Sequence, residues 1–232
     1  MHLRTADGAQ HVIGPVAACA WPDVCGAGLR ALASLEPADG CSSSTQELVA
    51  DGVGDSVSPQ IAARLVNFSD ANGVVRSSLL LFHLAVSEAQ HTEAAAALHS
   101  FLLSGSQKAA TIVPVAAMRF PASVRDDSVM VRAIAFHGGQ SNKRPGFPED
   151  TPLQDGILAG LLHLCRAAGT PTLALLAQGF PRQSEEDACE VARALAAAAC
   201  GTLDCGFAAG AAAKWAPREP SVSEGDDAML YV

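Results

Sequence analysis

The sequence has 232 residues and 49% hydrophobic content, enough for a sizeable core that needs no disulfide or metal support. Its 15 lysines and arginines stand against 24 aspartates and glutamates, and the formal charge of −9 disfavours a surface for nucleic acid or anionic membranes. Aromatic residues make up only 5% of the chain, so we expect a core of small aliphatic side chains. Neither nucleic acid nor a membrane is expected as a partner.

Seven cysteines are spread along the chain without a Cys-x-x-Cys pair, and most lie within apolar stretches. This usage is typical of a reducing compartment, so the expected location is the cytoplasm or the nucleus. A secretory signal is not expected, because Asp7, Gly8 and Gln10 interrupt the apolar character of the N-terminus. Apolar runs such as residues 173–177 fall far short of the ~20 residues that span a bilayer.

The first fifth of the chain predicts a strand followed by a helix. Residues 11–20 are mostly small and apolar, and the helix is expected to begin around Trp21 and to continue to about Leu35, before Pro37. Residues 37–44 contain an Asp-Gly pair and three consecutive serines, which favours a surface connection.

The next two elements are predicted to form a β-hairpin. Residues 61–68 and 74–86 are rich in β-branched and apolar side chains, and Asn72-Gly73 between them supplies the positive φ that tight turns require.

A capped helix and a strand are predicted after the hairpin. Ser87 with Gln90 three residues later forms a capping-box pattern for a helix that reaches about Leu103. Residues 108–117 then read as a strand, and Pro114 within it suggests an edge position or a bent end.

The second half of the sequence alternates strands and helices. The predicted elements are a strand at 129–136, a loop at 137–152, an amphipathic helix at 154–168, a buried strand at 172–177 and a helix that Ser184 caps and Gly201 ends. This alternation predicts an α/β fold: one domain, residues 1–215, with Rossmann-like layers in which helices cover both faces of a mostly parallel or mixed sheet.

One loop has an enzyme-like pattern. His137-Gly138-Gly139 follows a predicted strand and could offer backbone donors to a phosphate or an oxyanion. A phosphate loop runs directly into a helix, however, whereas here the loop continues, so an ordinary turn is the simpler interpretation. The alternative function is a small-molecule-binding protein or enzyme that uses this loop at the carboxyl end of its strand.

Other catalytic or metal-binding patterns are not evident in the sequence. No Gly-x-Ser-x-Gly pentapeptide occurs. Cys165 and His163 are two residues apart on a predicted helix and point in different directions, so Cys165 is expected in the core. Cys200 and Cys205 lack a downstream histidine, and His91 and His99 are expected on a solvated helix face. We therefore predict no catalytic residue, no metal and no cofactor.

The C-terminal segment differs from the rest of the chain. Residues 216–232 are polar, acidic and punctuated by proline and glycine, which predicts a flexible tail. The tail ends in the apolar residues Leu230, Tyr231 and Val232, which are the predicted partner-binding residues. They could instead add a strand to their own domain or fill a groove on it.

The chain resembles the proteasome assembly chaperone family. One part of the likeness lies in residues 151–195, in Pro152-Leu153, in the helix around residues 155–162, in the Gly169-Thr170-Pro171 break, in the strand at 173–176 and in the helix at 185–195. The other part is the terminal Leu230-Tyr231-Val232, which is similar to the hydrophobic-Tyr-X (HbYX) tails that enter pockets between proteasome α-subunits.

The resemblance implies a non-enzymatic function. A family member would form a heterodimer with a related protein, proteasome assembly chaperone 2, and dock on the α-ring of the proteasome core particle. It would promote α-ring assembly and block premature binding of activators. A third possibility is a scaffold subunit whose tail enters no pocket.

Overall fold

The computed structural model describes the chain over most of its first 207 residues. The described residues are 1–51, 60–125, 130–139, 144–148, 151–181, 183–203 and 205–207. Their strands are β1 (His2–Thr5), β2 (Val16–Ala20), β3 (Leu35–Glu36), β4 (Ser42–Asp51), β5 (Gln60–Ser69), β6 (Val75–Phe82), β7 (Thr111–Met118), β8 (Val131–Phe136), β9 (Thr172–Gln178) and β10 (Gly206–Phe207). Their α-helices are α1 (Ala27–Ala33), α2 (His91–Leu102), α3 (Gly156–Ala167) and α4 (Glu185–Leu203).

Eight of these strands form one mixed sheet in the order β1-β4-β5-β6-β2-β7-β9-β8. The four central strands are parallel, because β2 pairs in parallel with β6 and β7, and β7 with β9. The strands on both flanks are antiparallel, and β8 closes one side against β9. The predicted α/β class and mixed sheet are therefore confirmed.

Helices cover both faces of the sheet, as the sequence predicts. In β9, Leu173, Leu175 and Ala177 pack in the cluster of α1 and α4, whereas Ala174 and Leu176 pack in the cluster of α2 and α3. This alternation follows from the two-residue period of a strand buried on both faces. Alanine and leucine dominate both clusters, in agreement with the expected aliphatic core.

The hairpin and the capped helix are confirmed. β5 and β6 are joined by a turn in which Gly73 has φ of 77°, and Asp70 accepts hydrogen bonds from the N–H groups of Asn72 and Val74. Ser87 and Gln90 form the capping box, which opens with a single 3-10 turn before α2.

The predicted helix start near Trp21 is wrong, because α1 begins six residues later. The intervening loop ends at Gly26, whose φ is 69°. Asp23 stays in this loop and accepts hydrogen bonds from the N–H groups of Ala27 and Gly28, at 3.0 and 2.8 Å. It therefore satisfies the first turn of α1 from outside the helix.

The prediction of a surface connection at residues 37–44 is wrong for its last three residues. Ser42, Ser43 and Ser44 begin β4, where they pair with β5 and remain exposed. A strand with neither face buried at this end has no hydrophobic alternation, so its sequence resembles a loop.

The edge position predicted from Pro114 is also wrong, because β7 lies between β2 and β9. The β7–β9 register passes from Ile112 opposite Thr172 directly to Val115 opposite Leu175. Pro114, which has no N–H to donate, is therefore accommodated where this ladder is interrupted.

The last two helices follow the prediction with one change. Asp155 caps α3 by accepting a hydrogen bond from the Leu158 N–H at 2.8 Å, and Ser184 Oγ accepts one from the Asp187 N–H at the start of α4. The predicted stop at Gly201 is wrong, because α4 continues through it to Leu203. No helix in the described part of the chain is long and apolar enough to cross a membrane.

Candidate functional site

The predicted partner-binding residues Leu230, Tyr231 and Val232 lie outside the described residues, as does the predicted tail at 216–232. The described chain ends in β10, which pairs with β3 beyond the last turn of α4. Both α1 and α4 run back across the sheet from the carboxyl ends of parallel strands. The last described residue, Phe207, therefore lies toward the amino edge of the parallel strands.

The His137-Gly138-Gly139 loop lies at the same amino edge. Because β8 is antiparallel to β9, its last residue, Phe136, stands opposite Thr172, the first residue of β9. The premise of the small-molecule alternative, a loop at the ligand-binding edge of the sheet, is therefore wrong.

The loop is closed by its own contacts. His137 Nε2 lies 3.0 Å from the Arg166 carbonyl oxygen, and the Gly139 N–H donates to the Phe136 carbonyl at 3.1 Å. A Cβ on Gly139 would collide with the Thr172 carbonyl oxygen. These contacts fit the interpretation of the segment as a turn.

A groove runs beside this loop, between β8 and α3. Its volume is about 440 Å³, and Ile134, Phe136 and Leu162 contribute to its apolar wall. The Arg166 guanidinium lies 5.4 Å from the centre of the Phe136 ring, so its charge already faces an aromatic partner. We call it the β8 groove.

A second cleft opens at the carboxyl edge of the parallel strands. It has a volume of about 510 Å³ and is formed by residues 21–24 after β2, 84–86 after β6, 117–119 at the end of β7 and 154–157 at the start of α3. In α/β sheets the carboxyl edge is where the loops of adjacent strands leave an opening for ligands. We call it the carboxyl-edge cleft.

Asp23 holds the loop after β2 in place at the base of this cleft. Its Oδ1 accepts from the N–H groups of Cys25 and Ala27, and its Oδ2 accepts from those of Gly28 and Ala117 at 2.8 and 2.7 Å. Burial raises the pKa of this carboxyl to about 6, although the N–H groups act to lower it. Asp23 thus ties α1 to β7.

Asp155 holds the other side of the cleft. Besides capping α3, it accepts a hydrogen bond from the indole N–H of Trp21 at 2.9 Å. Trp21 is only 1% exposed, so this bond satisfies the polar atom of a fully buried ring. The Trp21–Asp155 pair joins the end of β2 to the start of α3.

Two glycines allow these close approaches. A Cβ on Gly28 would meet the Val115 carbonyl oxygen and would lie 2.8 Å from Asp23 Oδ2. A Cβ on Gly156 would lie 2.5 Å from His91 Nδ1. Close packing at these positions requires a residue without a side chain.

The remaining candidate residues divide between core and surface. Cys165 is fully buried, as predicted. His99, expected on a solvated face, is half-buried, and its Nε2 has no hydrogen-bond partner among the described residues. Burial lowers the pKa of His99. No group of three metal-ligating side chains occurs in the described part of the chain.

Sequence reasoning missed the carboxyl-edge cleft. The available pattern was Trp21-Pro22-Asp23 directly after the small apolar run that becomes β2. Polar and aromatic residues at that point of an α/β chain commonly line the open edge of the sheet. Interpreting them as the start of a helix concealed this role.

The architecture defines a class of protein: an α/β fold in which four parallel strands are flanked by antiparallel strands and covered by helices on both faces. The sequence matches no protein-family model, and no curated protein matches it significantly. Solved structures do match. Pyrococcus furiosus PbaA, an archaeal homolog of proteasome-assembly chaperone, matches with a TM-score of 0.59 and 13% identity over 91% of this chain and 90% of that chain.

Two further solved structures extend this likeness. Pyrococcus furiosus PbaB, an archaeal proteasome activator, matches with a TM-score of 0.61 and 11% identity over 91% of this chain and 92% of that chain. A PAC2 family protein from Streptomyces avermitilis matches with a TM-score of 0.50 and 14% identity over 86% and 90%. The chain therefore has the fold of proteasome-assembly chaperone homologues, as the resemblance implied.

Proposed function

We propose that this chain is a proteasome assembly chaperone. The observation that carries the proposal is the fold, which is common to this chain and PbaA over 91% and 90% of their lengths. The sequence adds a terminal Leu230-Tyr231-Val232 outside the described domain. A fold alone does not define a function, so the proposal rests on the two features together.

We infer that the chain acts without catalysis. Near the carboxyl-edge cleft, both carboxylates are occupied by protein donors: Asp23 by four N–H groups, Asp155 by Trp21 and Leu158. A carboxylate whose two oxygens already accept hydrogen bonds from protein donors is poorly placed to take a proton from a substrate. The proposed activity is therefore binding to other proteins.

The proposed complex has two contacts. The α/β domain forms a heterodimer with the related proteasome assembly chaperone 2, and the tail at 216–232 reaches into a pocket between α-subunits of the core particle. Occupying that pocket during assembly would promote α-ring formation and keep activators out.

The three tail residues contribute through different interactions. Leu230 and Tyr231 bury apolar surface in the pocket, and the carboxylate of Val232 pairs with a lysine there. The acidic linker before them carries Glu224, Asp226 and Asp227, which favours an approach to a basic surface.

Affinity capture of the tagged full chain from cell extract, read by mass spectrometry, tests the proposal. We expect α-type proteasome subunits together with a second chaperone of the same fold. A matched chain without Leu230-Tyr231-Val232 should keep the second chaperone and lose most of the α-subunits. Recovery of neither partner by the full chain would contradict the proposed function. Equal recovery of α-subunits by both chains would contradict the role of the tail.

A further inference from the structure

The carboxyl-edge cleft has the size and the walls of a small-molecule site. Its volume of about 510 Å³ falls within the range of roughly 300–1,000 Å³ that is usual for such sites. Val24, Leu84, Val86 and Pro181 supply apolar surface from three different loops. Leu84 and Val86 are half-buried, so part of their surface is available to a ligand.

The carboxylates at the cleft are directed toward the protein. Asp23 accepts four backbone hydrogen bonds, and Asp155 accepts from the Trp21 indole and the Leu158 N–H. These donors solvate both charges, so neither carboxylate depends on a cationic ligand. The acidic groups therefore do not make the cleft a cation site.

Arg119 differs from these groups because it is a cation with an exposed side chain. It follows the last residue of β7, lines the cleft and is exposed. The ion pairs among the described residues join other groups, and no described carboxylate lies within ion-pair distance of Arg119. Although the chain has a formal charge of −9, an exposed guanidinium of this kind can pair with the acid group of a small ligand.

We propose that the carboxyl-edge cleft binds a small organic anion. The apolar body of the ligand lies between Val86 and Val24, and its carboxylate or other acid group pairs with Arg119. The proposal is independent of the tail and of proteasome assembly, since it depends only on residues of the α/β domain.

Two fluorescent probes of similar shape test the two halves of the proposal. 8-Anilinonaphthalene-1-sulfonate carries an acid group, whereas N-phenyl-1-naphthylamine has the same ring system without it. Titrated into the full chain, both probes should bind saturably with one site per chain. Higher ionic strength should weaken the binding of the sulfonate probe and leave the affinity of the neutral probe unchanged, because salt screens only the interaction between the sulfonate and Arg119.

Matched substitutions locate the site. Arg119→Gln should raise the Kd of the sulfonate about fivefold, corresponding to the loss of one ion pair, and leave the Kd of the neutral probe unchanged. Arg166→Gln removes a guanidinium from the β8 groove and should change the Kd of neither probe. Val86→Asp places a charge on the apolar wall and should abolish binding of both probes.

These measurements distinguish binding in the carboxyl-edge cleft from non-specific binding of the dyes. Thermal melts of each variant must remain cooperative, because partly unfolded chains also bind these dyes. Non-saturable binding to the folded wild-type chain would overturn the proposal. Sulfonate binding that Arg119→Gln leaves unchanged, or that Arg166→Gln weakens instead, would also overturn it. None of these results bears on α-subunit capture, so the proposed function is tested separately.

Discussion

The two edges of the parallel strands are built in different ways. At the carboxyl edge, Asp23 and Asp155 connect loops and helices through side-chain hydrogen bonds and leave an open cleft between them. At the amino edge, the His137-Gly138-Gly139 turn is held by the contact of the His137 ring with the Arg166 carbonyl and by a backbone hydrogen bond from Gly139 to Phe136, and it packs directly on the Thr172 carbonyl. A glycine pair after a strand can thus close one edge of a sheet, while half-buried carboxylates hold the loops that border an open cleft at the other.

This difference predicts where substitutions are most costly. The carboxyl edge concentrates several backbone donors on a single side chain, so one change there leaves many groups unsatisfied. The amino edge and the helix surfaces distribute their contacts over many residues.

Asp23→Ala should have the largest effect. It removes the acceptor for four backbone N–H groups and should lower the free energy of unfolding by about 3–5 kcal/mol, measured by urea denaturation. Asp70→Ala is the matched control, because Asp70 also accepts from backbone N–H groups but in a solvated turn. A loss at Asp23 no larger than that at Asp70 would contradict the contrast.

Gly28→Ala should have the second largest effect on stability. The added Cβ meets the Val115 carbonyl and the Asp23 carboxylate, so α1 must move away from β7 at a cost of about 2–3 kcal/mol. Chemical denaturation measures this cost. A neutral effect would mean that α1 can shift freely, and that the close packing at this edge is not required.

Gly201→Ala should have a smaller effect of opposite sign. Gly201 lies in α4, and a Cβ there would meet no atom within 4 Å. Alanine should therefore raise the free energy of unfolding by about 0.5–1 kcal/mol, because it loses less backbone entropy than glycine on folding. A decrease in thermal stability would show that this turn of α4 has packing demands like those of α1.

His99 should add a modest pH dependence. Its folded-state pKa lies below the usual value of 6.5, so the folded chain favours the neutral ring. Its contribution is fully present above 6.5 and is lost as the pH falls through the depressed pKa. His99→Leu should make the unfolding free energy fall less steeply on acidification, as measured by urea titrations at several pH values. An unchanged slope would exclude His99 as the cause.

Local sequence chemistry predicted much of the fold. The Asn72-Gly73 turn and the Ser87–Gln90 capping box each depend on residues close in sequence, and both are found where expected. The buried strand β9 was predicted because it is apolar on both faces. Patterns of this kind need no knowledge of distant partners.

The errors arose where distant contacts decide the structure. Pro114 lies in an interior strand, at a point where the pairing between β7 and β9 is interrupted. Asp23 accepts hydrogen bonds from the first turn of α1 although it lies in the preceding loop, and the Trp21 indole donates to Asp155, 134 residues away. Sequence spacing alone does not reveal such pairings, which explains why the carboxyl-edge cleft was missed.

The orientation of β8 had the largest consequence for function. Sequence pattern identified the strand but not its direction, and the antiparallel pairing with β9 places the His137 loop at the amino edge. The candidate ligand site therefore moves from His137 to the cleft near Asp23 and Arg119.

The most direct test of the proposed chaperone role is the dissociation rate of the chaperone heterodimer from immobilised proteasome α-subunits, measured by surface plasmon resonance. Tyr231→Ala should cost about 2–4 kcal/mol of binding free energy, expressed mainly as a faster off-rate, because a buried aromatic anchor is lost. One glycine added after Val232 keeps every side chain but displaces the carboxylate, and it should also speed dissociation. Off-rates equal to that of the wild-type chain for both variants would contradict the account.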